Sequence, residues 1–510
     1  MSTPLSALTP RPPRRPLVWP DAVLDLHDAF LGTWREPLYI VGGAVRDAYQ
    51  SRPVKDLDFA TPGDAIAAAR RVANYFNGDV YVMDAERGVA RVFVETQQGK
   101  LALDFARFRA DDLLADLTER DFTLNAIAVD FTGNDLNQII DPLNGEQDLI
   151  EKVIRRCSPQ SILHDPIRAL RAVRQSAQLS ARIEPETLKD IRAAAARVNE
   201  TSPERVRDEF MKMLSLMRPI AGVRVADSLG LLQHILPEVT ALHGMMQSPP
   251  HSYDAWTHTM GVVERLRSLL NVINPKHSNE TAAVFDLGVA VMLLVHHREA
   301  LQAHLAGLWP NERSHEALLI LAALLHDAGK AVTAAQDEQG RWHFPDHARR
   351  GAQLAAERAA ALRLSSDEKQ RLYTVIDQHM HRIFWEPLTD LAIHRYWWAL
   401  GQAGVDVCLL VLADYLGGVG YQLDQDAWLT LVQQVRRLLD AYYLDYERLV
   451  APPPLLEGNG LMQALALKPG PVVGELLTLI REGQAAGEIT TVEAALEAAR
   501  TYLKQHNVQS

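Results

Sequence analysis

The segment Ile40-Val-Gly-Gly-Ala-Val-Arg-Asp47, with Lys55-Asp-Leu-Asp-Phe59 close behind it, constrains this chain more than any other. An apolar run from Leu38 to Val41 predicts a strand that breaks at two glycines, with a helix starting just after them. Glycines at such a turn let backbone N–H groups approach a polyphosphate, whose charge suits the positive end of a helix. Asp56 and Asp58 sit one residue apart in a second strand-like run, so the two-residue period sends both carboxylates to one face. Two hard oxygen ligands on one face suit Mg²⁺. A phosphate cradle beside paired carboxylates points to phosphoryl or nucleotidyl transfer.

A third carboxylate fits the same arrangement. Leu101-Ala-Leu-Asp-Phe-Ala-Arg-Phe108 alternates as a strand does and places Asp104 among apolar neighbours. In a two-metal site, ions about 3.5–4 Å apart clamp the attacking and leaving oxygens. Asp56 and Asp58 are predicted to hold both ions, and Asp104 to complete the one that activates an RNA 3′-hydroxyl.

Residues 35–165 alternate short strand-like runs (38–41, 56–60, 80–83, 89–95, 101–106) with helical stretches such as 64–76, which predicts a mixed sheet. From about 165 the pattern turns helical: Ile167 to Leu179, Pro185 to Arg197 and Pro203 to Met217. The expected class is α+β, a mixed-sheet N-terminal domain followed by all-α domains. The expected divisions are a flexible tail at 1–30, a head at 31–165, a helical domain at 166–240, a further helical domain at 250–450, and a C-terminal segment at 451–510. Pro249-Pro250 and Pro452-Pro453-Pro454 mark two of these boundaries.

In order along the chain stand GGAVRD (42–47), KDLDF (55–59), LDFARFR (103–109), ERDFTLNAIA (119–128), DPLNGEQDL (141–149), HDPIRALRAVR (164–174) and SPERVRDEF (202–210). Through these motifs the chain resembles the bacterial class II CCA-adding tRNA nucleotidyltransferase and poly(A) polymerase family. The resemblance implies a polymerase-beta-like head and the addition of C and/or A to tRNA 3′ ends from CTP and ATP, with Mg²⁺ as cofactor. A-only, CC-only and poly(A) synthesis share the motifs and stand as alternatives. Gly42, Gly43 and Arg46 would then seat the triphosphate, and Arg120, Asp121 and Asn125 would surround the nucleotide's sugar and phosphates. Read from the residues alone, Arg120 and Asn125 fit either nucleotide contact or local structure. Asp165 and Arg168 match the family's amino-acid template for the incoming base, with Arg171 continuing their helical face. Two positions depart from the pattern. His164 stands where the family has a Glu expected to orient the template arginine, and Gln175 where it favours an aromatic residue.

A second cluster follows. His258 precedes Leu324-Leu-His-Asp-Ala-Gly-Lys330, and His347, His379 and Asp414 come later. The order resembles the HD phosphohydrolase superfamily, in which His258, His326, Asp327 and Asp414 would bind a divalent metal. His347 and His379 would hold a second metal or the scissile phosphate, with His381 a rival for the latter. Imidazoles mixed with carboxylates suit a transition metal. Phosphatase or cyclic phosphodiesterase chemistry is implied, or else a supporting role in RNA binding. His296, His297 and His304, in the spacer-like stretch 271–318, read as surface or packing residues.

Composition sets the remaining bounds. The 510 residues are 47% hydrophobic and 23% charged, an ordinary globular balance with room for several cores. Two cysteines far apart provide no disulfide framework. No long apolar run or signal-peptide core is visible, so the expected compartment is the cytoplasm, with no membrane partner. Net charge is −12, yet residues 151–224 carry fifteen Lys/Arg against nine Asp/Glu. That local excess predicts a surface guiding an RNA acceptor arm.

Overall fold

The computed structural model describes residues 8–34, 36–54, 56–96, 99–249, 252–275, 285–418 and 423–506. Lys55, Pro250, part of the 271–318 stretch and the first seven residues of the expected tail lie outside them. The chain divides into two compact units, Met1–Met213 with Ala221–His234, and Leu214–Ile220 with Ile235–Ser510.

The first unit is built on a six-stranded mixed sheet. Its strands are β1 (Tyr39–Val41), β2 (Asp56–Thr61), β3 (Val80–Asp84), β4 (Val89–Thr96), β5 (Gly99–Arg107) and β6 (Ala128–Asp130), in the order β3-β4-β5-β2-β1-β6. Only β2 and β5 run parallel; the other neighbours are antiparallel. Alternation decides which face is which. Phe59 and Phe105 stack at 4.8 Å between ring centres on the apolar face, and Phe131 meets Phe59 edge-on. The acidic positions one residue away therefore project to the other face.

Helices frame this sheet: α1 (Asp21–Phe30), α2 (Gly43–Tyr49), α3 (Ala65–Phe76), α4 (Leu113–Thr118), α5 (Gly145–Glu151), α6 (Ser161–His164) and α7 (Ile167–Leu179). The Asp64 side chain accepts from Ala67 N–H to start α3, and Asn77 in the left-handed region ends it.

Two expectations need correction. Residues 8–30 are not a loose tail. Arg11 bridges Ile139, Leu17 N–H donates to Asn137, and α1 buries Val23, Leu26 and Phe30. Apolar side chains spaced along the lead-in anchor it. The divide at 165/166 is not a boundary between compact units either. Gln175 and Arg168 on α7 bond to Asn125 and to the Glu119 carbonyl, which welds the first helices after the sheet to the head.

The second unit is helical. Helices Ala255–Val272, His315–Leu325, His347–Ala361, Ser366–Gln378 and Ala403–Gly418 form its first part. Helices Gly458–Leu465, Pro471–Ala485 and Val492–Gln505 follow, packed around Leu461, Leu476, Ile480, Ala495 and Ala499. The proline run at 452–454 separates these elements without dividing the unit, and Arg395 pairs with Glu482 across them. His297 and His304 are packing residues, paired with Asp440 and Asp406. Among the described residues no single helix is long and apolar enough to cross a membrane.

Candidate active site

Strand register assembles the acidic face. Asp58 on β2 lies directly beside Asp104 on β5, and Asp104 lies directly beside Arg91 on β4. On its other side Asp58 faces Val41, the last residue of β1 before the glycine turn. One row across the sheet thus reads Arg91, Asp104, Asp58, and Asp56 shares the face two residues away. Gly42 has φ +77, a conformation that side chains disfavour, and a Cβ there would stand 2.7 Å from Asp58 Oδ2. The glycine turn is cut to the shape of this carboxylate.

Charge crowding marks the face. Burial pushes Asp58 up to about 6, with Asp104 and Asp56 adding to the effect while Arg120 and Arg109 oppose it. A carboxylate held above its ordinary range by burial, with two acidic neighbours adding to it, is a group that a divalent cation would relieve. The three acids share one face, but among the described residues they are not one of the groups whose ligand atoms lie within 4.8 Å of one another. Asp104, however, is engaged: Arg91 grips it with both arms of its guanidinium, Nε to Oδ1 at 2.6 Å and Nη2 to Oδ2 at 2.7 Å. Asp56, Asp58 and Asp104 all raise the pKa of Arg91, so this cation sits among the acids.

Behind the acids lies a buried polar network. Arg46 Nη1 donates to Asn125 Oδ1 at 2.7 Å, and Asn125 Nδ2 donates to Asp121 and to Gln175. Arg171 joins Asp121 to Glu209. Although burial opposes ionisation, Arg171 and hydrogen bonds from Asn125 and Phe122 N–H hold Asp121 down to about 2. Four residues expected to touch nucleotide, Arg46, Asp121, Asn125 and Arg171, thus turn hydrogen-bonding groups towards one another or to Glu209. Gln175, where the resemblance favours an aromatic residue, accepts from Asn125 Nδ2 at 3.1 Å. Arg120 is anchored at Asp116 by 3.1 and 2.8 Å bonds, with Nη1 near the Gly42 turn.

Asp165 and Arg168 do not share a helical face, as their spacing suggested. Asp165 lies between α6 and α7 at φ −141, ψ 92, because Pro166 excludes the helical region from the residue before it. Its carboxylate still reaches to 3.8 Å from Arg168 Nε and accepts from Arg205 at 2.7 Å. Arg168 is fixed without the missing Glu. Its guanidinium donates to the Glu119 and Arg120 carbonyls and to Ser161 Oγ at 2.8 Å. His164 is largely exposed and only 3.9 Å from Glu119. Among the described residues the hydrogen-bond partners of Arg168 are the Glu119, Arg120 and Ser161 groups and do not include His164.

The second unit holds its own centre. His258 Nε2 lies 3.3 Å from Asp327 and 3.0 Å from Asp414; His326 Nε2 lies 3.2 and 3.5 Å from the same two carboxylates. The ligand atoms fall into two overlapping groups, His258/His326/Asp414 and His326/Asp327/His379. Nδ1 of His326, His347 and His379 each bonds a backbone carbonyl three residues back, at 2.8, 2.9 and 2.6 Å. That fixes the tautomer and leaves Nε2 as the ligand atom. Burial works against charge on His326, yet Asp327 and Asp414 raise it to about 10. His258 shifts the same way against the same burial, and both carboxylates are held well below their usual range. The two carboxylates thus favour positive charge at this point, which is what a divalent metal would bring. His347 reaches Asp327 at 3.5 Å. His381 accepts from Ile383 N–H at Nδ1, and its ring packs on Tyr396.

Known proteins share this arrangement over nearly the whole chain. The "A-adding tRNA nucleotidyltransferase" of Deinococcus radiodurans is 32% identical over 89% of this chain and 93% of its own. The chain belongs to the tRNA nucleotidyltransferase family. The "CC-adding tRNA nucleotidyltransferase" of Thermus thermophilus is 30% identical over 89% and 91%. Residues 38–155 match the "Poly A polymerase head domain", 182–242 the "Probable RNA and SrmB- binding site of polymerase A", and 256–417 the "HD domain". The structure titled "Thermotoga maritima CCA-adding enzyme complexed with tRNA_CCA" has the same fold, with TM-score 0.55, 20% identity and 94% coverage of both chains.

Sequence reasoning missed several residues of this nucleotidyltransferase. Asp116 and Ser161 anchor the two arginines, and Lys330 Nζ fixes Asp327 at 2.7 Å while bonding Gln247. Lys330 was within reach, three residues after the His-Asp pair; Ser161 carried no such signal. Arg91 was also missed. A cation binding Asp104 must compete with its fork. Arg91→Ala is expected to tighten Mn²⁺ binding several-fold, read by titration in a His326→Gln background that silences the second centre. Unchanged or weaker binding would show that the fork does not compete.

Proposed function

We propose that the enzyme adds C and/or A to the 3′ end of tRNA from CTP and ATP, without a nucleic-acid template, and releases pyrophosphate. The observation that best supports this is the row in which Asp104 and Asp58 lie side by side next to the Gly42 turn, with Asp56 on the same face. Mg²⁺ on Asp56, Asp58 and Asp104 would acidify the RNA 3′-hydroxyl and offset charge at the reacting phosphate. The protein's own share is positioning. The bare Cα of Gly42 lets a triphosphate approach Asp58, and Arg120, held by Asp116, presents its charge beside that turn. Arg46, Asp121, Asn125 and Arg171 keep the floor beneath rigid.

Base choice falls to Asp165 and Arg168. Asp accepts from an exocyclic amino group, which C and A both carry, while Arg donates to a ring nitrogen or carbonyl. Arg168 is locked by three backbone and hydroxyl partners, whereas Asp165 sits in a turn with the exposed Arg205. A fixed arginine with an adjustable acid would serve either base. The substrates place the reaction in the cytoplasm.

The relatives divide between A-adding and CC-adding proteins. Incubating the enzyme with tRNA lacking its tail, and with tRNA ending in CC, separately with CTP, ATP or both, decides the matter. The expected result is incorporation that halts once the tail is complete. Long A tracts on unrelated RNA would transfer the enzyme to the poly(A) polymerases.

A second reading concerns the HD centre, a metal-dependent phosphoester hydrolase. It is favoured by a cavity of about 770 Å³ over Asp327, Lys330, His347 and Asp414, walled by Trp342 and Trp385. The two activities do not exclude one another.

A further inference from the structure

The expected basic surface at 151–224 is largely cancelled within the fold. Arg155 pairs with Asp148 and Glu184, Arg156 with Asp190, Arg174 with Glu209, Lys189 with Glu186 and Arg197 with Glu200. Even Arg11 in the lead-in segment is paired, with Asp141 and Glu146. What sets three cations apart is that they converge: Arg15, Arg52 and Lys152, with no ion pair or side-chain hydrogen bond among the described residues, all line one cavity of about 290 Å³ in the first unit.

Three separate segments bring them together. Arg15 comes from the lead-in segment, which is tied down by Arg14 N–H to Glu146 and Val18 N–H to the Ala48 carbonyl. Arg52 follows α2, with its N–H bonded to the Asp47 carbonyl. Lys152 ends α5 in the left-handed region at φ +53 and pairs by its backbone with Arg182. Among the described residues no carboxylate lines the cavity. Gln50 Oε1, also in its wall, is buried without a hydrogen bond, and Leu149 and Leu179 supply an apolar side. Like charges converging from independent segments repel one another unless an anion joins them. An unmet acceptor beside them asks for a hydroxyl donor.

We propose that this pocket binds one phosphate–ribose unit of an RNA strand, the phosphate against the three cations and a ribose hydroxyl on Gln50. The cavity has room for roughly one such unit and not for a nucleoside triphosphate. It is not the seat of the reacting phosphates. Helix α2 runs from the Gly42 turn at one end to Gln50 at the other, roughly 10 Å for its seven residues. The ligand is therefore a second phosphate, gripped while the 3′ end reacts elsewhere. The proposal rests on RNA being the substrate.

The test is tRNA binding and steady-state incorporation by the full-length triple variant Arg15→Ala/Arg52→Ala/Lys152→Ala, across a salt series. Loss of one phosphate contact should weaken tRNA about tenfold and lower the slope of log Kd against log salt by about one. KM for tRNA should rise at unchanged kcat, with ATP and CTP binding unaltered. The single variant Arg52→Ala serves if the triple variant misfolds, with a smaller shift in the same direction. Unchanged tRNA affinity, or an unchanged salt slope, overturns the pocket. So does weakened binding of ATP or inorganic phosphate without an effect on tRNA, which would assign the site to a free anion. If the wild-type enzyme incorporates nothing into tRNA, it is the function proposed above that fails.

Discussion

Asp58→Ala is expected to abolish nucleotide incorporation, by roughly three orders of magnitude or more, while leaving tRNA affinity within about twofold. Asp58 lies between Asp104 and the glycine turn, and Gly42 has no side chain where its carboxylate stands. Removing it deletes the acid that lies beside both Asp104 and the glycine turn. Asp56→Ala should act in the same direction. Neither change touches the buried network of Arg46, Asn125 and Asp121, so folding should persist, and circular dichroism checks that. Incorporation within tenfold of wild type by either variant would remove the acidic row from the mechanism.

His326→Ala is the second large effect. The imidazole is fully buried and faces both Asp327 and Asp414. Its loss should eliminate stoichiometric transition-metal binding in the second unit and any phosphoester hydrolysis there, while incorporation into tRNA continues. Buried Asp327 and half-buried Asp414 would then lose a counter-charge, at a cost of about 3–5 kcal/mol in the metal-free protein. Asp414→Asn, at a more exposed position, separates the two consequences, since it removes a ligand and a negative charge together. Metal content by elemental analysis, and phosphate release from a nucleoside 2′,3′-cyclic phosphate, supply the readouts. Hydrolysis that survives both variants would deny the centre a catalytic part.

Much of the head was legible because its elements carry strong local periodicity. The runs expected at 80–83, 89–95 and 101–106 are strands Val80–Asp84, Val89–Thr96 and Gly99–Arg107, and the stretch at 64–76 is helix Ala65–Phe76. Ala128–Asp130 escaped notice, since three residues hold too little alternation to register; its pairing with β1 makes it a strand. The second centre was legible as a set of residue types in order. Its geometry was not, because His258 and Asp414 reach the His326-Asp327 pair only once helices remote along the chain pack together.

Asp165 illustrates a mixed outcome. Its spacing from Arg168 suggested one helical face, while the proline between them already argued for a break, and the break prevailed. Arg168 illustrates what lay beyond local reading: its guanidinium donates to the Arg120 and Glu119 carbonyls, forty-eight and forty-nine residues away, as well as to Ser161.

The amino-acid sequence by itself determined the glycine turn, the spacing that aims Asp56 and Asp58 to one side, and the succession of strand and helix. Those properties arise within a few residues, from dihedral preference and side-chain period. Only the tertiary structure decided that Arg91 clamps Asp104, thirteen residues away, and that Arg46 meets Asn125 across seventy-nine. Strand register and the pairing of buried polar groups join segments remote along the chain. Each buried donor takes whichever acceptor the fold brings to it.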